Sequence, residues 1–162
     1  MKIQQLILKP LCAAFAAAAL SSCATLSNEP SNTGTELGRL QPCPSAPHCV
    51  SSDSYAVEEK TSAYIKPFEL EGLPHVAWEA TRTLIEASER TSIVQQRPGY
   101  LHAEVVSPWK FYTDDLELRL DQSQRVIHVR SSSRIGYYDF GVNRDRVERL
   151  RSELLAKGLI KG

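Results

Sequence analysis

Between Asp114 and Leu120 the chain alternates without a break. Leu116, Leu118 and Leu120 fall on one side, Asp115, Glu117 and Arg119 on the other. Successive side chains of a strand point to opposite faces, so this stretch specifies a strand that buries one face. After Asp121-Gln122-Ser123-Gln124, a turn composition, residues 125–131 return as its partner. Closing the hairpin there sets Leu118 opposite Ile127 and Leu116 opposite Val129, which gathers both apolar sets on one face. The same register sets Asp115 opposite Arg130, Glu117 opposite His128 and Asp114 opposite Ser131.

The remaining elements follow from shorter signals. Residues 91–96 and 100–106 are strands joined through Arg97-Pro98-Gly99-Tyr100, whose Pro then Gly suits a type II turn. Leu101, Ala103 and Val105 share one face of the second strand, and His102, Glu104 and Val106 the other. A first strand lies within 61–69, where Pro67 assigns it to a sheet edge. Pro74 opens a helix over 75–89, with Ala77, Ala80, Leu84 and Ala87 at intervals of three and four and Val76, Trp78 and Ile85 widening the stripe. A final helix over 144–157 has Asn143 as N-cap, an inward stripe of Val147, Leu150 and Leu154, and Gly158 at its end. The order β-α-β-β-β-β-α predicts an α+β fold: a mostly antiparallel sheet of about five strands with two helices on one face.

The first 22 residues carry a different signal. Lys2 and Lys9 precede an apolar run over 11–20, the length of a secretory leader and too short for a spanning helix, which needs about 20 apolar residues. Leu20-Ser21-Ser22-Cys23 then resembles a bacterial lipobox. That resemblance implies cleavage before Cys23 and acylation of Cys23, leaving an exported lipoprotein held in a membrane by its lipid. Ala24, in place of an Asp, implies an outer-membrane anchor with the chain facing the periplasm. Residues 24–42 are rich in Ser, Thr, Asn, Gly and Pro and read as a flexible tether, about 25 Å as a coil and roughly 65 Å stretched. Residues 43–162 are expected to form a single domain.

Charge is balanced at 19 basic and 19 acidic residues, and loss of Lys2 and Lys9 with the leader makes the mature chain slightly acidic. That gives no footprint for nucleic acid. Of the four cysteines, Cys12 leaves with the leader and Cys23 takes lipid. Cys43 and Cys49 remain, and an oxidising compartment favours a disulfide between them. The competing reading, a metal held by both thiols and His48, lacks the second pair of ligands that zinc wants. His75, His102 and His128 form no tight ligand pair either, so no metal or cofactor is expected.

Cys43-Pro44-Ser45-Ala46-Pro47-His48-Cys49-Val50-Ser51-Ser52, Tyr100-Leu101-His102-Ala103-Glu104, Phe111-Tyr112-Thr113-Asp114-Asp115 and the run from Arg130 through Val147 together resemble domain of unknown function family 1499. The resemblance spans roughly Leu40 to Leu154, with its motifs in the family's order. It implies a domain and no activity.

The segment from Arg130 to Arg146 is the candidate site. Arg144 and Arg146 fall in the first turn of the last helix, where cations oppose the helix macrodipole and free N–H groups invite an anion. With Arg134 and Asn143 they would make a pocket for a carboxylate, a phosphate or a partner's acidic side chain. Against this stands a purely structural network of Asp114, Asp115, Arg130, Ser131 and Asp139. Asp114 shares a face with three leucines and needs a cation, with Arg134 or Arg144 as candidates. Asp115 and Arg130 read as a cross-strand pair on the outer face. The aromatics Trp109, Phe111, Tyr112, Tyr137, Tyr138 and Phe140 cluster near the same loops and are expected to pack in the core, with a stacking floor for a ring ligand as the alternative.

Three functions remain open. The first is a non-enzymatic envelope module that binds an envelope protein or a small anionic ligand. The second is a cell-envelope hydrolase using Asp114, His102, Ser131 or Arg134. The third is a structural envelope tether.

Overall fold

The alternation at the centre of the chain builds the centre of the sheet. The computed structural model describes residues 33–36, 38–53, 61–109 and 111–162. Its strands are β1 (Thr35–Glu36), β2 (Arg39–Leu40), β3 (Cys49–Ser51), β4 (Phe68–Glu69), β5 (Thr91–Arg97), β6 (Tyr100–Val106), β7 (Thr113–Asp121) and β8 (Val126–Ser133). The helices are α1 (Pro74–Ala87) and α2 (Val142–Ala156). The leader, Cys23 and the first part of the tether lie outside the described residues.

The main sheet runs β3-β8-β7-β6-β5, and β4 also pairs with β8. All these pairings are antiparallel. β3 lies against the late half of β8 and β4 against its early half, so two short strands share one edge position. This is the expected α+β class, with one strand more than foreseen in the main sheet and a separate two-stranded sheet of β1 and β2. Gly99 holds the β5–β6 turn at φ +70°, as the second central position of a type II turn requires.

The register of β7 with β8 differs from expectation. Leu118 lies opposite Val129, Leu116 opposite Ser131 and Leu120 opposite Ile127. The polar pairs shift too: Asp115 faces Ser132, Glu117 faces Arg130, and Asp114 faces Ser133. The slip is two residues, because Asp121 still pairs with Val126 and Arg125 joins the turn at φ +57°. A two-residue slip preserves faces, so every leucine stays on the side foreseen.

One face of the sheet carries the apolar core. Leu101, Ala103, Leu116, Leu118, Ile127 and Val129 meet Ala77, Trp78 and Ile85 of α1 and Val147, Leu150 and Leu154 of α2. The α1 stripe is rotated from the expected one. Thr81 is buried, its hydroxyl donating to the Ala77 carbonyl at 2.7 Å, while Val76 is exposed.

The other face is polar and buried. Glu117 and Arg130 are 0% and 1% exposed and pair at 2.7 Å, so the outer surface expected here is interior. The β1–β2 hairpin covers it. Gly34 N–H donates to Glu117 at 2.6 Å, and Tyr100 Oη donates to the same carboxylate oxygen at 2.7 Å. Leu40 is 1% exposed, and its N–H donates to Asp53 at 3.2 Å. Asp53 also receives the Arg39 and Arg119 guanidiniums. The ordered unit therefore begins before the tether boundary expected at 42. Two-residue strands have no period to read, and only the pairing to a covered carboxylate shows why the chain settles there.

Candidate functional site

Asp114 and Asp115 are neighbours on β7 and so point to opposite faces. Each organises a separate ionic cluster, and together they place almost every residue singled out from the sequence.

On the polar face Asp115 is 0% exposed. His102 Nε2 donates to it at 2.8 Å, and Arg134 reaches it with Nε at 3.2 Å and Nη2 at 2.8 Å. Arg134 Nη2 also donates to Glu104 at 2.5 Å. Burial pushes the Asp115 carboxyl up, but hydrogen bonds from His102 and Arg134 outweigh it and hold the pKa at about 2. The expected Asp115–Arg130 pair is replaced, since the two-residue slip brings Arg130 to Glu117 instead. Nearer the turn His128 is buried. Desolvation and the Arg119 charge keep its pKa below the ordinary imidazole value, while its Nδ1 donates to the Ser52 carbonyl at 3.2 Å.

On the helix face Asp114 accepts from Arg146 Nη2 at 2.5 Å. The cation is neither Arg134 nor Arg144, because Arg146 is the α2 residue whose side faces the sheet. Arg146 Nη1 donates to Ser131 Oγ at 2.8 Å and to Asn143 Oδ1 at 2.6 Å. Asn143 is fully buried and, instead of being the expected N-cap, lies two residues past the actual one, Gly141, inside α2. Its Nδ2 donates to the His48 carbonyl, Ser133 Oγ and Asp139 Oδ2 at 2.9–3.0 Å. It thus bolts the Cys43–Cys49 loop, the end of β8 and the start of α2 together.

The helix N-terminus already holds a carboxylate. Asp139 accepts from Gly141 N–H and Asn143 N–H at 3.0 Å each. Burial raises its carboxyl, and these backbone donors more than offset that, leaving the pKa below the usual carboxylate range. The amides expected to receive a ligand anion are therefore used internally.

Arg144 stands apart. Arg144 and Arg146 are two positions apart on a helix and do not face each other. Arg144 Nη2 donates to the Ser62 and Tyr64 carbonyls at 2.7 Å each, and no carboxylate among the described residues meets it. It lines an open cleft of about 150 Å³ with Pro47, Ser62, Tyr138, Asp139 and Gly141. The four candidates thus divide: Arg134 and Arg146 pair with carboxylates, Asn143 is buried and hydrogen-bonded, and Arg144 lines the cleft.

Cys43 and Cys49 form the expected disulfide, with their Cα atoms 5.7 Å apart. A loop this short gains about 2 kcal/mol from the link, enough to fix the loop that Asn143 grips. Among the described residues no three His, Cys, Asp or Glu side chains lie together as a metal site.

The hydrolase candidates do not converge. His102 and Arg134 meet at Asp115 on the polar face, while Asp114 and Ser131 meet at Arg146 on the helix face. The aromatics depart most from expectation: all six are more than half exposed, from 53% for Tyr112 to 85% for Phe140. Sequence reasoning missed the Tyr100–Glu117–Arg130 and His102–Asp115–Arg134 clusters. Their signal is the polar half of the alternating strands, His102 and Glu104 on β6 and Asp115 and Glu117 on β7, too charged and too regular for a loop.

No match to this chain is found among curated proteins or solved structures. A family described as protein of unknown function, DUF1499, matches residues 39–154, beginning at the buried hairpin and ending at the last core leucine of α2. The match covers most of the chain and both ionic clusters, and the chain belongs to that family.

Proposed function

We propose that this protein is an exported lipoprotein, anchored through acylated Cys23 in the outer membrane and facing the periplasm, whose folded part is a non-enzymatic module that binds a small anion. The ordered series of basic residues, apolar run and lipobox-like Leu20-Ser21-Ser22-Cys23 supports the anchor. The observation that carries the binding site is Arg144. Its guanidinium lines the cleft beside the disulfide loop and meets only carbonyl oxygens among the described residues, whereas Arg134 and Arg146 are spent on carboxylates. A carboxylate or phosphate entering the cleft would gain a charge-assisted hydrogen bond from the guanidinium N–H groups not given to Ser62 and Tyr64. The separation of the hydrolase candidates onto two faces, with His102 and Asp115 buried, favours binding over catalysis.

The test is thermal unfolding of the folded chain with inorganic phosphate, glycerol phosphate and acidic wall fragments. A ligand at 100 times its Kd adds about 2.7 kcal/mol and raises the midpoint, and Arg144→Ala removes that gain while staying folded. No shift with any of these anions would overturn the reading of the cleft.

A further inference from the structure

Half of the chain's aromatic side chains lie on two loops at one end of the sheet. The first, 107–112, joins β6 to β7 and is closed by Ser107 N–H donating to the Tyr112 carbonyl at 2.9 Å. The second, 134–141, joins β8 to α2. The two leave the sheet side by side, since Arg134 N–H donates to the Thr113 carbonyl and Asp114 pairs with Ser133. Trp109, Phe111, Tyr137 and Phe140 are 74–85% exposed, and Tyr138 and Phe140 touch edge to face at 5.2 Å.

A soluble domain rarely displays such a patch without an occupant. Phe140 sharpens the point, because it holds its exposed ring on a left-handed backbone at φ +57°. That conformation costs a residue with a Cβ about 1–2 kcal/mol, and the adjacent glycine, not this phenylalanine, would bear it freely. The composition is Trp, Tyr and Phe rather than aliphatic, the mixture that settles where hydrocarbon meets headgroups.

The length of chain between Cys23 and the first described residue selects the occupant. Cys23 and Thr33 are ten residues apart, at most roughly 35 Å of extended backbone. Close to the start of the described chain, Gly34 is bound to Glu117, which lies four positions along β7 from the aromatic end, about 14 Å. The tether is therefore long enough to let that end reach the bilayer and too short to let the domain drift far from it. We infer that the 107–112 and 134–141 loops form a second membrane contact, inserting their aromatic side chains at the headgroup level of the bilayer that carries the lipid. This rests on the lipoprotein reading for the tether argument alone.

Trp109 reports the contact. The chain has two tryptophans, and Trp78 is buried at 7% exposure, so changes in emission on adding lipid belong to Trp109. The unacylated chain 24–162 is titrated with phosphatidylethanolamine–phosphatidylglycerol vesicles, and the acylated protein is reconstituted in the same lipid. Expected are a blue shift and quenching by bromine-labelled acyl chains in both forms. The variant Phe111→Ser, Phe140→Ser, which leaves the core untouched, should weaken partitioning of the unacylated chain by about tenfold or more. Solvent-like emission without quenching in the reconstituted protein would overturn the inference and assign the patch to a protein or ring-bearing ligand. A mass measurement showing unmodified Cys23 would instead overturn the anchor, and the vesicle titration of the unacylated chain would still decide the contact.

Discussion

Asp115 shows how much a single side chain can be asked to do. It is fully buried, receives His102 and a two-pronged Arg134, and has its pKa held at about 2. A carboxyl whose folded pKa lies below its unfolded value stabilises fully above the unfolded value and loses that contribution as pH falls towards the folded one. From 3.8 down to about 2 the loss is about 2 kcal/mol. His128 acts in the same direction nearer neutrality, because burial keeps it neutral while the unfolded imidazole takes up a proton. Denaturant titrations of the wild type should therefore show stability falling between about pH 4 and pH 2, and Asp115→Asn should flatten that limb. At pH 7 the same variant should cost about 3 kcal/mol, since it takes the Asp115 carboxylate away from the buried Arg134 guanidinium. Asp139, also held low, contributes to the same limb, and a limb unchanged by Asp115→Asn would mean that Asp115 is not among the groups that titrate there.

The β1–β2 hairpin is the element whose role is least like its sequence. It roofs the polar face through Gly34, Arg39 and Leu40. Leu40→Ala should cost about 2–4 kcal/mol in chemical denaturation, a value typical of a core leucine and far above that of a tether residue. A loss under about 0.5 kcal/mol would return this segment to the tether. The sequence allowed the long elements to be placed because β6, β7, β8, α1 and α2 each repeat a period over several residues. It did not allow β1, β2 and β3 to be placed, at two or three residues each, since alternation needs more than that to register. The β7–β8 register slipped because it hung on Arg125, a residue with no glycine-like signal for its left-handed turn conformation. The site was half legible. Asp114 was bound to need a cation, but choosing Arg146 over Arg144 requires the rotation of α2, and the exposure of the aromatic loops cannot be read from residue type.

At the scale of the whole molecule, the sheet has an apolar and a polar face, with a cleft lined by Arg144 and an exposed aromatic end beside the start of α2. Within the described residues no helix is long and apolar enough to cross a membrane, and the proposed attachment is through Cys23. That proposed attachment would place both the cleft and the aromatic end close to a membrane surface. The most direct test is the intact mass of the protein extracted from the membrane of the cells that make it, alongside Cys23→Ser. The account predicts a chain that begins at Cys23 and is heavier by a diacylglyceryl group and an amide-linked acyl chain, with Cys23→Ser lacking both and released from the membrane. A chain cleaved elsewhere, or one carrying Cys23 as a free thiol, would contradict it.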